Sequence, residues 1–163
     1  MTPRKITKYL TGASVSFIRE IFIKYSTLDT ERINVSNPEA VYRFLHLHIG
    51  EQNKEHFVVL CLNGKNTIVS YHVASIGTIA ETIVHPREVF IAAIRSGASS
   101  IIVAHNHPSG EVVPSKEDIG TTTRLFDAGK LIGIPLLDHI IIGDNDRTGK
   151  YYYSMKEHGY LNK

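Results

Sequence analysis

Residues 99–118 constrain the chain most, reading Ser-Ser-Ile-Ile-Val-Ala-His-Asn-His-Pro-Ser-Gly-Glu-Val-Val-Pro-Ser-Lys-Glu-Asp. The apolar, β-rich run over 100–104 predicts a short buried strand. His105 and His107 stand two apart in its extended end, where side chains at i and i+2 share a face, so that two imidazoles can reach one metal. Pro108 biases His107 towards extended or polyproline geometry and preserves that pairing. Gly110 and Pro114 bracket a loop, shaped by Asn106, Pro108, Ser109 and Gly110, that turns the chain back. Ser115 then opens a helix, with Asp118 in its first turn.

Two histidines and one carboxylate make three ligands. Zinc in catalytic sites typically takes three protein ligands and leaves a fourth position to water. The same donors also suit iron, manganese or nickel. Each piece has a plainer meaning: H-x-H as loop or core histidines, Ser-x-x-Asp as a helix cap, Pro-Ser-Gly as a turn. Their combination at these spacings, directly after a buried strand, favours the metal.

The rest of the chain supplies alternating strands and helices. A mildly basic opening carries Arg4, Lys5, Lys8, Arg19 and Lys24 against Glu20; it reads as a solvated arm followed by an edge strand near 20–26. Ser36-Asn-Pro-Glu39 is a capping-box helix start, with Pro38 tolerated in the first turn. The helix should run to about residue 49, with Val41, Phe44, Leu45 and His48 on one face, and stop at Gly50. Strands over 55–62 and 67–73 flank a turn at Asn63-Gly64 and form a hairpin. Helix is expected over 86–96, closed by Gly97, and over 115–131; strand over 135–142; an edge strand over 151–154. The expectation is a mixed α/β sheet flanked by helices, with an arm over 1–35 and one domain over 36–163.

Composition bounds the partners. A chain of 163 residues, 42% apolar and 21% charged, fits one ordinary soluble domain. A net charge of +2 is too small to imply nucleic-acid or membrane binding. The single cysteine, Cys61, lies in an apolar run, reads as a buried hydrophobe, and fits a reducing cytoplasm. No apolar stretch reaches the roughly 18 residues of a membrane span.

The pattern H-x-H-x7-S-x2-D, carried by His105, His107, Ser115 and Asp118, resembles the JAMM motif of JAB/MPN metallopeptidases. The chain is most similar to the RadC-like branch. That resemblance rests on residues 99–110, on Val84-His-Pro-Arg-Glu88, on Ala128-Gly-Lys-Leu131 and on Leu137-Asp-His-Ile-Ile-Ile-Gly143. It covers about residues 36–161 and implies a cytidine-deaminase-like α/β/α core with one zinc. It also implies an upstream glutamate acting on the metal's water, for which the matching position is Glu55; Glu51, Glu81 and Glu111 are other acids to consider. The ubiquitin-cleaving branch tends to have glycine three residues after this glutamate, where Val58 stands here. RadC proteins often carry an N-terminal helical domain, whereas here only about 35 residues precede the match, so the family's DNA association loses its most plausible carrier.

The expected chemistry is zinc-assisted cleavage of a peptide or isopeptide amide. His105, His107 and Asp118 hold the metal, Glu55 serves as general base, and Ser115 donates to the oxyanion. The rivals are a non-catalytic, metal-bearing binding module and a DNA-processing protein, including a metal-dependent nuclease. Glu111 and Glu117 flank the loop and would repel a phosphate backbone. A deaminase needs cysteines that are absent. Of Asp138 and His139, neighbours in one strand, at most one can face the site, and both read as supporting residues. His85 reads as a loop anchor.

Overall fold

β1 (His56–Leu62) is buried at six of its seven residues and β3 (Ser100–Asn106) at all seven. Strands without a polar face must be covered on both sides, and the computed structural model, which describes residues 33–35, 37–77, 84–145 and 149–161, shows that cover. Five strands form one sheet in the order β2-β1-β3-β4-β5, with β2 at Ile68–Ile76, β4 at Leu136–Asn145 and β5 at Lys150–Ser154. All neighbouring pairs are antiparallel except β3 and β4, which run parallel. Side-chain alternation splits the core into two layers. Phe57, Val59, Cys61, Ile101 and Val103 pack with Val89 and Phe90 of α2 (Pro86–Arg95) and Leu125 of α3 (Lys116–Ile132). Val58, Leu60, Leu62, Ile102 and Ala104 pack with Val41, Phe44 and Leu45 of α1 (Pro38–Leu45). The mixed α/β sheet between helices is the expected architecture.

Where boundaries differ from expectation, the neighbours explain it. β2 runs on to Ile76 because β1 pairs with it to the end, His56 opposite Ile76 and Phe57 opposite Ser75. β4 likewise reaches Asn145, opposite Lys150 of β5. The cap of α1 is Asn37, whose side chain accepts from Ala40 N at 2.9 Å; the expected cap, Ser36, lies outside the described residues. Glu39 pairs along the helix with Arg43 at 2.6 Å, and its expected box partner is that same Ser36. The α-helix ends at Leu45, and His46–Gly50 widen into a π-helical turn. At Gly50 a Cβ would lie 2.5 Å from His46 Nδ1, so the His46 ring would have to shift to admit one. The expected arm and its strand near 20–26 lie outside the described residues. Among the described residues, no helix is long and apolar enough to cross a membrane.

The parallel pair β3 and β4 is joined through α3. The start of α3 therefore returns to the carboxyl end of β3, the edge where open α/β sheets place their ligands.

Candidate metal centre

His105 sits one residue before the end of β3 and is fully buried on the α2/α3 face, its ring stacked 6.1 Å from that of Phe57. His107 follows the strand but donates its backbone N–H to Ile142 O at 2.8 Å, so the extended geometry continues and the two imidazoles share a face. The chain then turns: Gly110, at φ 80°, donates to His107 O at 2.9 Å. This brings the Glu111 carbonyl to 2.8 Å from His107 Nδ1. A carbonyl only accepts, so the proton of a neutral His107 sits on Nδ1 and Nε2 is bare. Asp118 enters through the expected cap. Ser115 Oγ donates to Asp118 Oδ2 at 2.6 Å, Ser115 N donates to the same oxygen at 2.7 Å, and Asp118 N donates to Ser115 Oγ at 3.1 Å.

Three donor atoms meet here. His105 Nε2 lies 2.9 Å from His107 Nε2 and 3.2 Å from Asp118 Oδ1; His107 Nε2 lies 3.7 Å from Oδ2. One ligand atom from each residue falls within 4.8 Å of the others. Asp118 Oδ1 is buried and has no hydrogen-bond partner among the described residues. An unsatisfied buried carboxylate oxygen is costly, and a cation between it and the two nitrogens removes the cost. The residues present thus fit a metal ion, and the donor set, two imidazoles and a carboxylate, leaves a coordination position open.

The local field separates the titrations. For His105, burial lowers the pKa well below the ordinary histidine value, aided by His139 and His107, against the pull of Asp118. For His107, burial works downwards, but Asp118, the Glu111 carbonyl and the charge of Glu55 together raise the pKa. For Asp118, burial works upwards, but His107, His105 and the two Ser115 donors bring it below the usual carboxylate range.

Glu55 is half-buried and immediately precedes β1, near enough to raise the pKa of His107 through space. Its position is held by Asn106, the residue between the two histidines. Asn106 Oδ1 accepts from His56 N at 2.7 Å, and Nδ2 donates to Lys54 O at 3.1 Å and Gln52 O at 3.2 Å. Asn106 is thus the buried end of β3, clamping the backbone on both sides of Glu55. Of the other acids, Glu51 is exposed, Glu111 contributes its carbonyl, and Glu81 lies outside the described residues.

His139 is the member of its pair that faces the site; its Nε2 lies 2.9 Å from His105 Nδ1. Burial lowers its pKa to about 4. Asp138 points the other way, accepting from Ser154 Oγ at 2.6 Å and Lys156 N at 3.0 Å. His85 caps α2, accepting from Arg87 N at 3.1 Å. Sequence reasoning missed Thr122, whose Oγ1 lies 2.6 Å from His139 Nδ1; its spacing of four from Asp118 was the available signal. It also missed Gly143, where a Cβ would overlap the Gly110 carbonyl oxygen and crowd Val112.

A mixed sheet with helices on both faces and a His-x-His…Asp cluster at a strand end defines an α/β protein with a candidate single-metal centre. The chain belongs to the RadC-like JAB domain family, whose model matches residues 35–160. It is 48% identical over 131 residues to a UPF0758 protein of Staphylococcus haemolyticus, covering 80% of this chain and 55% of the relative. A UPF0758 protein of Caldanaerobacter subterraneus is 49% identical over 130 residues, 80% of this chain and 54% of the relative. One from Methanosarcina mazei is 42% identical over 151 residues, 92% and 64% respectively. The chain spans little more than half the length of the first two relatives.

Proposed function

We propose that this domain is a zinc-dependent hydrolase of the JAMM type that cleaves a peptide or isopeptide bond. The observation that carries the proposal is the convergence of His105 Nε2, His107 Nε2 and the unsatisfied Asp118 Oδ1 beside an acid, Glu55, that acts electrostatically on His107. When bound, zinc supplies a Lewis acid that lowers the pKa of water and polarises a carbonyl. Glu55 takes a proton from the attacking water and delivers it to the leaving amine as the C–N bond breaks. Ser115 Oγ turns its proton towards the carbonyl oxygen as charge builds there. Asp118 Oδ2 is not left bare by that turn, because Ser115 N–H still donates to it. The fully buried, single Cys61 is consistent with a reducing, cytoplasmic setting.

The test pairs metal content with a substrate screen. The purified protein binds one zinc, and His105→Ala or Asp118→Ala loses it. Against peptide and isopeptide libraries, Glu55→Gln keeps zinc and slows cleavage by roughly 10²–10⁴. Single- and double-stranded DNA stay intact. DNA cutting that vanishes in Glu55→Gln, with no peptide cleaved, would overturn the amide reading in favour of a nuclease.

A further inference from the structure

We infer that His139, held by Thr122, is a positioning residue that fixes His105 in the one ring tautomer leaving Nε2 free for a metal. The inference rests on the metal-hydrolase reading for its purpose, but the hydrogen-bond chain stands by itself. His105 Nδ1 meets His139 Nε2 at 2.9 Å, His139 Nδ1 meets Thr122 Oγ1 at 2.6 Å, and Thr122 Oγ1 meets the Asp118 backbone carbonyl at 2.7 Å. His105, Thr122 and His139 are buried, at 0%, 1% and 0% exposure, so no solvent completes the count.

The carbonyl at the end decides the direction. It can only accept, and Thr122 has one hydroxyl proton, so that proton goes to Asp118 O. His139 Nδ1 must then carry the proton it donates to Thr122 Oγ1. An imidazole carrying its one proton on Nδ1 has a lone pair on Nε2, so His139 Nε2 is the acceptor at the 2.9 Å contact with His105 Nδ1. His105 Nδ1 must be the donor, and His105 Nε2, facing His107 and Asp118, holds a lone pair. Running the chain the other way would leave Thr122 Oγ1 and the Asp118 carbonyl 2.7 Å apart with no proton between them. It would also put a proton on the nitrogen that faces the other two ligands.

The chain closes on itself. It begins at one metal ligand and ends on the backbone of another, Asp118, one turn before Thr122 along α3. The register of β3 and β4, with Val103 opposite His139, sets the two rings on the same face. A ligand histidine that donates its second nitrogen to a fixed partner is held in orientation as well as in tautomer, and removal of such a partner typically costs 10–100-fold in metal affinity.

The experiment uses the full chain, with His139→Leu, His139→Gln, Thr122→Val and Thr122→Ser. Nitrogen-15 NMR of the metal-free protein at neutral pH reads the tautomer, and competition with a chelator reads zinc affinity. His105 in the unsubstituted protein is protonated on Nδ1. His139→Leu removes the acceptor, mixes the tautomers and weakens zinc by roughly 10–100-fold. His139→Gln, whose amide oxygen can accept, recovers most of that loss. Thr122→Val, which strands His139 Nδ1, weakens zinc, whereas Thr122→Ser does not. Should His139→Leu fail to fold, the two Thr122 variants and His139→Gln carry the comparison. A His105 ring protonated on Nε2, or zinc affinity unchanged in Thr122→Val, would overturn the inference. Absence of zinc binding in the unsubstituted protein would instead strike the hydrolase reading, and the tautomer measurement would still decide the role of His139.

Discussion

Asp118 works with both its side chain and its carbonyl, and the groups around it have pKa values pushed apart. That separation predicts how the metal-free protein responds to acid. Burial holds His105 well below its ordinary value and His139 at about 4. Between about pH 6.5 and 4 the unfolded chain therefore binds protons at these positions that the folded chain refuses, and stability falls as pH falls. The limiting slope is about 1.4 kcal/mol per pH unit for each histidine. His107, whose value is raised, acts in the opposite sense: its contribution is full below about pH 6.5 and is lost as pH rises through its folded value. Asp118, whose value is lowered, contributes above the ordinary carboxylate range and is lost only in stronger acid. Urea unfolding of the chelator-treated protein should give an acid limb from pH 6.5 to 4.5 that is roughly halved in slope by His139→Leu; equal slopes would mean that His139 titrates normally. The three candidate ligands were legible because their spacing alone puts them on one face and one helix turn. His139 was legible only as one of two neighbours, since alternation says that one faces the site and not which. The register with β3 makes the choice.

The loop carrying His107 is braced from outside by an element that offers no side chain. Gly143 on β4 lets the Gly110 carbonyl and Val112 come into contact with the strand. Gly143→Ala should push the loop away, costing about 1–3 kcal/mol as an overpacked contact and weakening zinc at least about tenfold through misplacement of His107. Zinc titration and urea unfolding, done together, check this; unchanged zinc affinity would show that the loop holds its own shape. Gly143 drew notice in the sequence only as the last residue of a run that carries the family resemblance, because a glycine's reason lies in what approaches it. The elements around it were legible in proportion to how local their causes are. Ser115 caps α3 and Gly133 ends it at φ 78°, both local signals. The end of β2 depends on pairing with β1, and the π-helical turn after α1 joins a helix to the strand entry, so neither is written in a short window.

At the scale of the molecule, the candidate centre joins the entry to β1 with two consecutive parts far along the chain from it, the end of β3 and the start of α3. A ligand that binds only the folded state stabilises all of them by mass action, about 2.7 kcal/mol when free zinc is a hundredfold above its dissociation constant. For a domain of this size that corresponds to roughly 5–10 °C in Tm. Calorimetry with zinc and with chelator should show the shift in the unsubstituted protein and lose it in His105→Ala; an equal shift in both would place the zinc elsewhere. The mixed sheet was legible from alternating strand and helix signals, but the assignment of α1 to one face and α2 and α3 to the other was not, because both faces of β1 and β3 are apolar and mark no side. The capping box of α3 has one more effect, on time rather than on energy. Asp118 grips the first turn of its helix with the same carboxylate that faces the two histidines. An ion held there would lose this ligand only as the two hydrogen bonds from Ser115 to the carboxylate break, so exchange at Asp118 would be coupled to the opening of the first turn of α3.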